Sequence, residues 1–110
     1  MMKITELLAP AGSYESLVAA VNAGADAIYI GGKKFSARAY ADNPDEDVLI
    51  KGIEYAHTFG VSVYMTINTL FKESEMDELF DYIKTYYNAG IDAVIVQDLG
   101  VFEFIRKHFK

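Results

Sequence analysis

Gly31 and Gly32 open the stretch GGKKFSAR, which brings Lys33, Lys34 and Arg38 within eight residues. Glycines let backbone N–H groups approach a ligand closely, and clustered cations hold phosphate or carboxylate. The spacing is not that of a Walker loop, which needs G-x-x-x-x-G-K-[ST]. The same letters also describe a tight turn with two solvated lysines. Arg38 differs, because its small neighbours Ala37 and Ala39 leave room for the guanidinium to fold inward. Two further polar groups follow apolar runs: Asn68 with Thr69 in TINT, and Gln97 with Asp98 in QDLG. An amide there fixes a ligand's orientation, and a carboxylate serves as base or anchor. Asn68 equally reads as a turn former, and Asp98 as an ordinary helix N-cap. The substrate-binding candidates are therefore Gly31, Gly32, Arg38, Asn68, Gln97 and Asp98, with no catalytic residue assigned.

Other titratable residues carry less. The acidic run DNPDED (Asp42–Asp47) is explained by a helix start, with Asn43 capping, Pro44 at the first helical position and acids at the positive end. His57 and His108 are expected at the surface rather than on a metal. No cysteine is present, so no disulfide, thiolate zinc site or iron–sulfur ligand comes from this chain, and no metal site is expected. No Ser/His/Asp, Cys/His or H-E-x-x-H arrangement can be drawn.

The elements that position these groups repeat. NAGADAIYI (Asn22–Ile30) and NAGIDAVIV (Asn88–Val96) share N-A-G-x-D-A and start 66 residues apart. Ahead of the first lies SYESLVAAV, with Ser13 as N-cap and Leu17, Val18 and Val21 on one face. Ahead of the second, Met76, Leu79, Phe80 and Ile83 form an apolar stripe. A weaker version lies between them, with Val48, Leu49, Ile53 and Ala56 inward. Gly24, Gly60 and Gly90 stop the three helices in the left-handed conformation. The expected strands are Leu7–Ala9, Ala27–Ile30, Val61–Met65 and Ala93–Val96, and VFEFIRKHF supplies a last helix. The Ala27–Ile30 run has no polar alternation, as expected when both faces of a parallel strand are covered.

Strand–helix, four times over, predicts parallel βα units with right-handed crossovers, in sheet order 1-2-3-4. Two architectures accommodate this: the N-terminal half of a TIM-like (β/α)8 barrel, which we favour, or a small open parallel sheet with helices on both faces. Residues 1–110 are expected to form one βα-repeat domain, part of a longer barrel. Ligands in either case bind at the C-terminal ends of the strands, where all six candidates fall.

Apolar residues make up 52% of the chain, enough for a packed core and too many for disorder. A formal charge of −6 argues against a broad electrostatic footprint for nucleic acid. No apolar run approaches the ~18 residues of a membrane span, and MMKITELLAPAG is not a signal peptide, so no membrane association and a cytoplasmic location are expected.

Four motifs in order, ELLAPAG, GADAIYIGG-x-x-FSAR with ADN close behind, VYMTINT and DAVIVQDLG, resemble the N-terminus of the collagenase-like peptidase family U32, from Glu6 to about Val101. The resemblance implies a barrel several times longer than this chain. It also implies an activity: members include oxygen-independent hydroxylation factors acting on RNA bases or a quinone precursor. These use an iron–sulfur cluster held by four cysteines, and the RNA-acting members take the hydroxyl from prephenate. FSAR-x-x-ADN and QDLG bring the RNA-modifying branch nearest. By motif match, Gly31, Arg38, Asn68 and Asp98 carry over as substrate-pocket residues. The family's cysteines lie downstream of this segment, so the chain alone is expected to lack the cluster and turnover. Its substrate, a small molecule or RNA, would then be engaged together with regions absent here.

Two other readings stand beside this one: a peptidase, as the family name says, and a non-catalytic domain that binds a metabolite or assembles with a partner. Under the half-barrel reading the first and fourth strands are unpaired edges, which predicts a homodimer or higher assembly with Leu7, Leu8, Val94 and Val96 near the contact.

Overall fold

The computed structural model describes residues 5–32, 45–67 and 76–109. Along the chain run β1 (Leu8–Ala11), α1 (Tyr14–Asn22), β2 (Ala27–Gly31), α2 (Glu46–Thr58), β3 (Ser62–Ile67), α3 (Met76–Asn88), β4 (Ala93–Val96) and α4 (Leu99–His108). The strands form one parallel sheet in the order β1-β2-β3-β4, as the repeat predicts.

Local chemistry sets the helix ends. The Ser13 hydroxyl accepts the Ser16 N–H at 3.1 Å, which caps α1. Gly24, Gly60 and Gly90 take φ of 98°, 74° and 95°, where a side chain costs about 1–2 kcal/mol. Helix α2 starts at Glu46 with Asp45 as its N-cap residue, and Glu46 and Asp47 occupy its first turn. The expected cap at Asn43 and helix start at Pro44 lie outside the described residues.

Strand bounds shift where tertiary pairing overrides local pattern. β1 is Leu8–Ala11 rather than Leu7–Ala9, and β3 is Ser62–Ile67 rather than Val61–Met65. Leu49, Ile53 and Ala56 are buried in α2, but Val48 is 37% exposed, one position off the inward stripe.

Register shows how the helices are distributed. Ala9, Ile28 and Val63 form one row across the sheet; Ala11, Ile30, Met65 and Val94 form a second; Ile67 and Val96 form a third. These rows point to one face, because side chains alternate along a strand. All of them join a single apolar cluster with Leu17 of α1, Leu49 and Ile53 of α2, Leu79 and Ile83 of α3, and Val101 of α4. The intervening rows contribute nothing to that cluster: Leu8, Ala27; Pro10, Tyr29, Tyr64, Ala93; Ile95. Among the described residues the four helices therefore pack on one face of the sheet and none packs on the other. Ala27 and Gly31 on that second face are nonetheless buried, so the expected burial of the Ala27–Ile30 strand is met, with only Tyr29 half-buried. The one-sided packing separates the two architectures: helices on one side of sequentially ordered parallel strands are consistent with part of a TIM-like barrel, not with a sheet flanked on both sides.

Candidate functional site

In a parallel sheet all strand C-termini share one rim. Gly12, Gly31, Gly32, Gln97 and Asp98 lie there, and Gly24, Gly60 and Gly90 precede the strands on the opposite rim. Arg38 and Asn68 lie outside the described residues. Of the six candidates the structure thus brings Gly31, Gly32, Gln97 and Asp98 to one end of the sheet.

Their individual roles differ. Asp98 is the N-cap of α4, its Oδ1 accepting the N–H groups of Gly100 at 2.7 Å and Val101 at 3.1 Å. Its carboxylate is committed to the helix start, the structural alternative that the sequence already allowed. Gly32 is buried, and a Cβ there would fall on the Tyr82 hydroxyl, 3.2 Å from Cζ and 3.7 Å from Leu49 Cδ2. Glycine fits here because α3 lays the Tyr82 ring against this backbone, and a larger residue would have to displace it. Gly31 is also buried and pairs in register with Thr66. Gln97 is exposed immediately after β4.

The helix-free face adds groups that composition and motif reasoning missed. Tyr29 and Tyr64 stand side by side in register, and Thr66 lies one row nearer the C-terminal rim, 9% exposed. The Tyr64 hydroxyl donates to Glu6, at 3.2 Å from Oε1 and 3.0 Å from Oε2, across the intervening β2. This hydrogen bond, with lesser help from desolvation and the nearby carboxylates, raises the Tyr64 pKa above its ordinary 10.0. The phenol is held protonated, as a donor. The signal was available in SVYMTI, polar at 62, 64 and 66 and apolar at 63, 65 and 67.

Both histidines are exposed as expected, but neither is idle. His57 Nε2 lies 2.7 Å from Asp92 Oδ2, and His108 Nδ1 lies 3.0 Å from the Phe104 carbonyl while its ring stacks on Phe104. The His57–Asp92 pair sits at the N-terminal start of β4, remote from the rim where ligands bind in such sheets. Among the described residues no three His, Cys, Asp or Glu side chains converge as a metal site, and no helix is long and apolar enough to cross a membrane.

A single sheet of four sequentially ordered parallel βα units, with glycines and polar groups on its C-terminal rim, is the arrangement of part of a TIM-like barrel. Peptidase family U32 matches residues 12–110, and the chain belongs to that family. It is 40% identical over 105 residues to the tRNA hydroxylation protein P1 of Bacillus subtilis (strain 168), covering 96% of this chain and 25% of that protein. It is 36% identical over 103 residues to a collagenase of Porphyromonas gingivalis (strain ATCC BAA-308 / W83), covering 93% and 25%. The solved U32 peptidase Mk0906 superposes with a TM-score of 0.76 over all of this chain and 47% of its own, at 14% identity, which is a likeness of fold. The chain spans about a quarter of the length of these curated relatives.

Proposed function

We propose that this chain is the N-terminal part of a hydroxylation factor for RNA bases, and that its C-terminal rim forms one wall of the substrate pocket. The observation that carries the reading is the 40% identity, over nearly the whole chain, to a tRNA hydroxylation protein. Gly31 and Gln97, with Arg38 and Asn68, would bind and orient the substrate, while Asp98 holds the start of α4 and Gly32 gives room to Tyr82. The bare face behind them, with Tyr64 held as a hydrogen-bond donor, would line the lumen below the pocket.

An iron–sulfur cluster and prephenate as hydroxyl source belong to this reading at the level of a longer protein. The chain's own residues do not fit a cluster, since there is no cysteine and, among the described residues, no converging set of acids and histidines. A cluster would be held elsewhere, and this segment's part is binding and positioning.

The collagenase likeness favours a second reading, peptide hydrolysis. The geometry gives it less support: the hydrogen-bond partners of His57 and His108 are Asp92 and a backbone carbonyl, not a serine or threonine nucleophile.

The test is a chimera of the B. subtilis protein whose N-terminal quarter is replaced by this chain, expressed in cells lacking that protein. Hydroxylated nucleosides in digested tRNA should reappear, and Arg38→Ala in the chimera should lower them at least about tenfold, the loss of a well-oriented charged contact. The melting temperature should fall by no more than a few degrees. A soluble, folded chimera that leaves tRNA unmodified, or that cleaves gelatin instead, would overturn the proposal.

A further inference from the structure

We propose that Thr66 is a substrate-contact residue, whose hydroxyl meets the hydrogen-bonding edge of an RNA base entering from the C-terminal rim. This contact rests on the reading of the chain as part of an RNA-base hydroxylation factor and deepens it: one side chain on β3 recognises the base.

Register places Thr66 in the last row before the rim. Gly31, Thr66 and Ile95 pair across β2, β3 and β4, between the core-facing rows that hold Met65 and Ile67. Alternation therefore turns Thr66 toward the face on which no helix packs among the described residues. In a TIM-like barrel that face is the lumen, and its uppermost row lies against the ligand site. The row is chemically uneven: Gly31 has no side chain, Ile95 is apolar, and Thr66 supplies a hydroxyl.

That hydroxyl lacks a structural task. Thr66 is 9% exposed, the one buried polar side chain among the described residues, and none of them gives its hydroxyl a hydrogen-bond partner. A buried hydroxyl is normally paired, because losing water without a replacement is costly. Valine has nearly the same shape, suits a strand as well, and carries no such cost. Tyr64, on the same strand and face, shows the contrast. Its hydroxyl donates to Glu6, which precedes β1, and is thereby drawn toward the opposite rim.

Chemistry narrows the ligand. A hydroxyl both donates and accepts, so it pairs with a ring carbonyl, a ring N–H or an exocyclic amino group, the groups found along a base edge. It is uncharged, which suits a neutral heterocycle better than a phosphate. Gly31 beside it puts no side chain in the way of a ring, and Tyr29 lies one row below on the same face of β2. Bases stack on aromatic surfaces of that kind.

Equilibrium dialysis of the four ribonucleosides against the purified chimera of this chain with the B. subtilis protein tests the contact. At least one nucleoside should bind, and Thr66→Val should weaken it about three- to tenfold, the loss of one neutral hydrogen bond. Thr66→Ser keeps the hydroxyl and should hold affinity within about twofold. Free ribose, which has no base, should not distinguish the parent from Thr66→Val. Stability gives the readout that a structural role would reverse. Thr66→Val removes an unpaired hydroxyl and keeps the shape, so the melting temperature should hold or rise. Equal nucleoside affinity in parent and Thr66→Val, or no nucleoside bound by the parent, overturns the proposal. So does a Thr66→Val chimera that melts several degrees lower, which would make the hydroxyl part of the fold. Hydroxylation of tRNA is scored separately: Thr66-dependent nucleoside binding in a chimera that leaves tRNA unmodified supports the contact and overturns only the reaction.

Discussion

Tyr64 and Glu6 are 58 residues apart in sequence, and no local pattern pairs them. Their hydrogen bond has a titratable consequence. A tyrosine pKa raised in the folded state means that the pair's stabilising contribution is whole below the unfolded value near 10 and is lost as pH rises through the higher folded value. Glu6→Gln removes the main cause, so the phenolate absorbance assigned to Tyr64 by its loss in Tyr64→Phe should appear at lower pH in that variant. An unmoved titration would mean that the bond does not persist in solution. Gly32 makes a second residue-scale case. The pair of glycines reads as ligand access, yet the Gly32 position is filled by Tyr82. Gly32→Ala should cost about 1–3 kcal/mol in urea denaturation through overpacking. Adding Tyr82→Phe should return part of that, and strictly additive losses would refute the contact. Asp98 shows the converse: its cap was readable because an N-cap is written within three residues, while its distance from any ligand is not.

At the scale of elements, the repeated N-A-G-x-D-A phrase now has a physical meaning beyond the glycine stop. Asp26 accepts the Leu7 N–H at 2.7 Å and donates its own N–H to the Leu7 carbonyl at 2.9 Å. Asp92 does the same with Val63, at 2.7 Å and 3.0 Å. Each Asp clamps the start of its own strand to the strand before it and so pins register. Ser62 stands two residues after its glycine, where the other units have Asp, and there the backbone bond from Ser62 N–H to the Asp26 carbonyl remains. Asp92→Ala should lower stability by about 1.5–3 kcal/mol, the range for a hydrogen bond to a charged group. His57→Ala should cost no more than about 1 kcal/mol, because the His57–Asp92 pair is more than a third exposed on both sides. Equal losses for the two variants, measured by chemical denaturation, would place the importance in the histidine pair instead of the clamp. The stop glycines and cap were readable in sequence because they are local; the clamp was not, because its partner is a backbone group on another strand.

For the whole molecule, the order and direction of the strands followed from the repeat, but the side on which the helices lie did not. Ile28 and Ala27 look alike in sequence, and both are fully buried; register assigns one to the helix-packed core and the other to the bare face. That sidedness underlies the whole account, since it makes the bare face and its C-terminal rim the place where a substrate would sit. The absence of native cysteine makes the most direct measurement a clean one. Tyr64→Cys and Val63→Cys place single thiols on adjacent residues of β3 that point to opposite faces. In dilute solution under native conditions the thiol of Tyr64→Cys should react with a small disulfide reagent at a rate insensitive to low denaturant. The thiol of Val63→Cys should react only through opening of the fold, accelerating with denaturant in step with its loss of stability. Equal protection of the two thiols would mean that helices cover both faces, and would contradict the account.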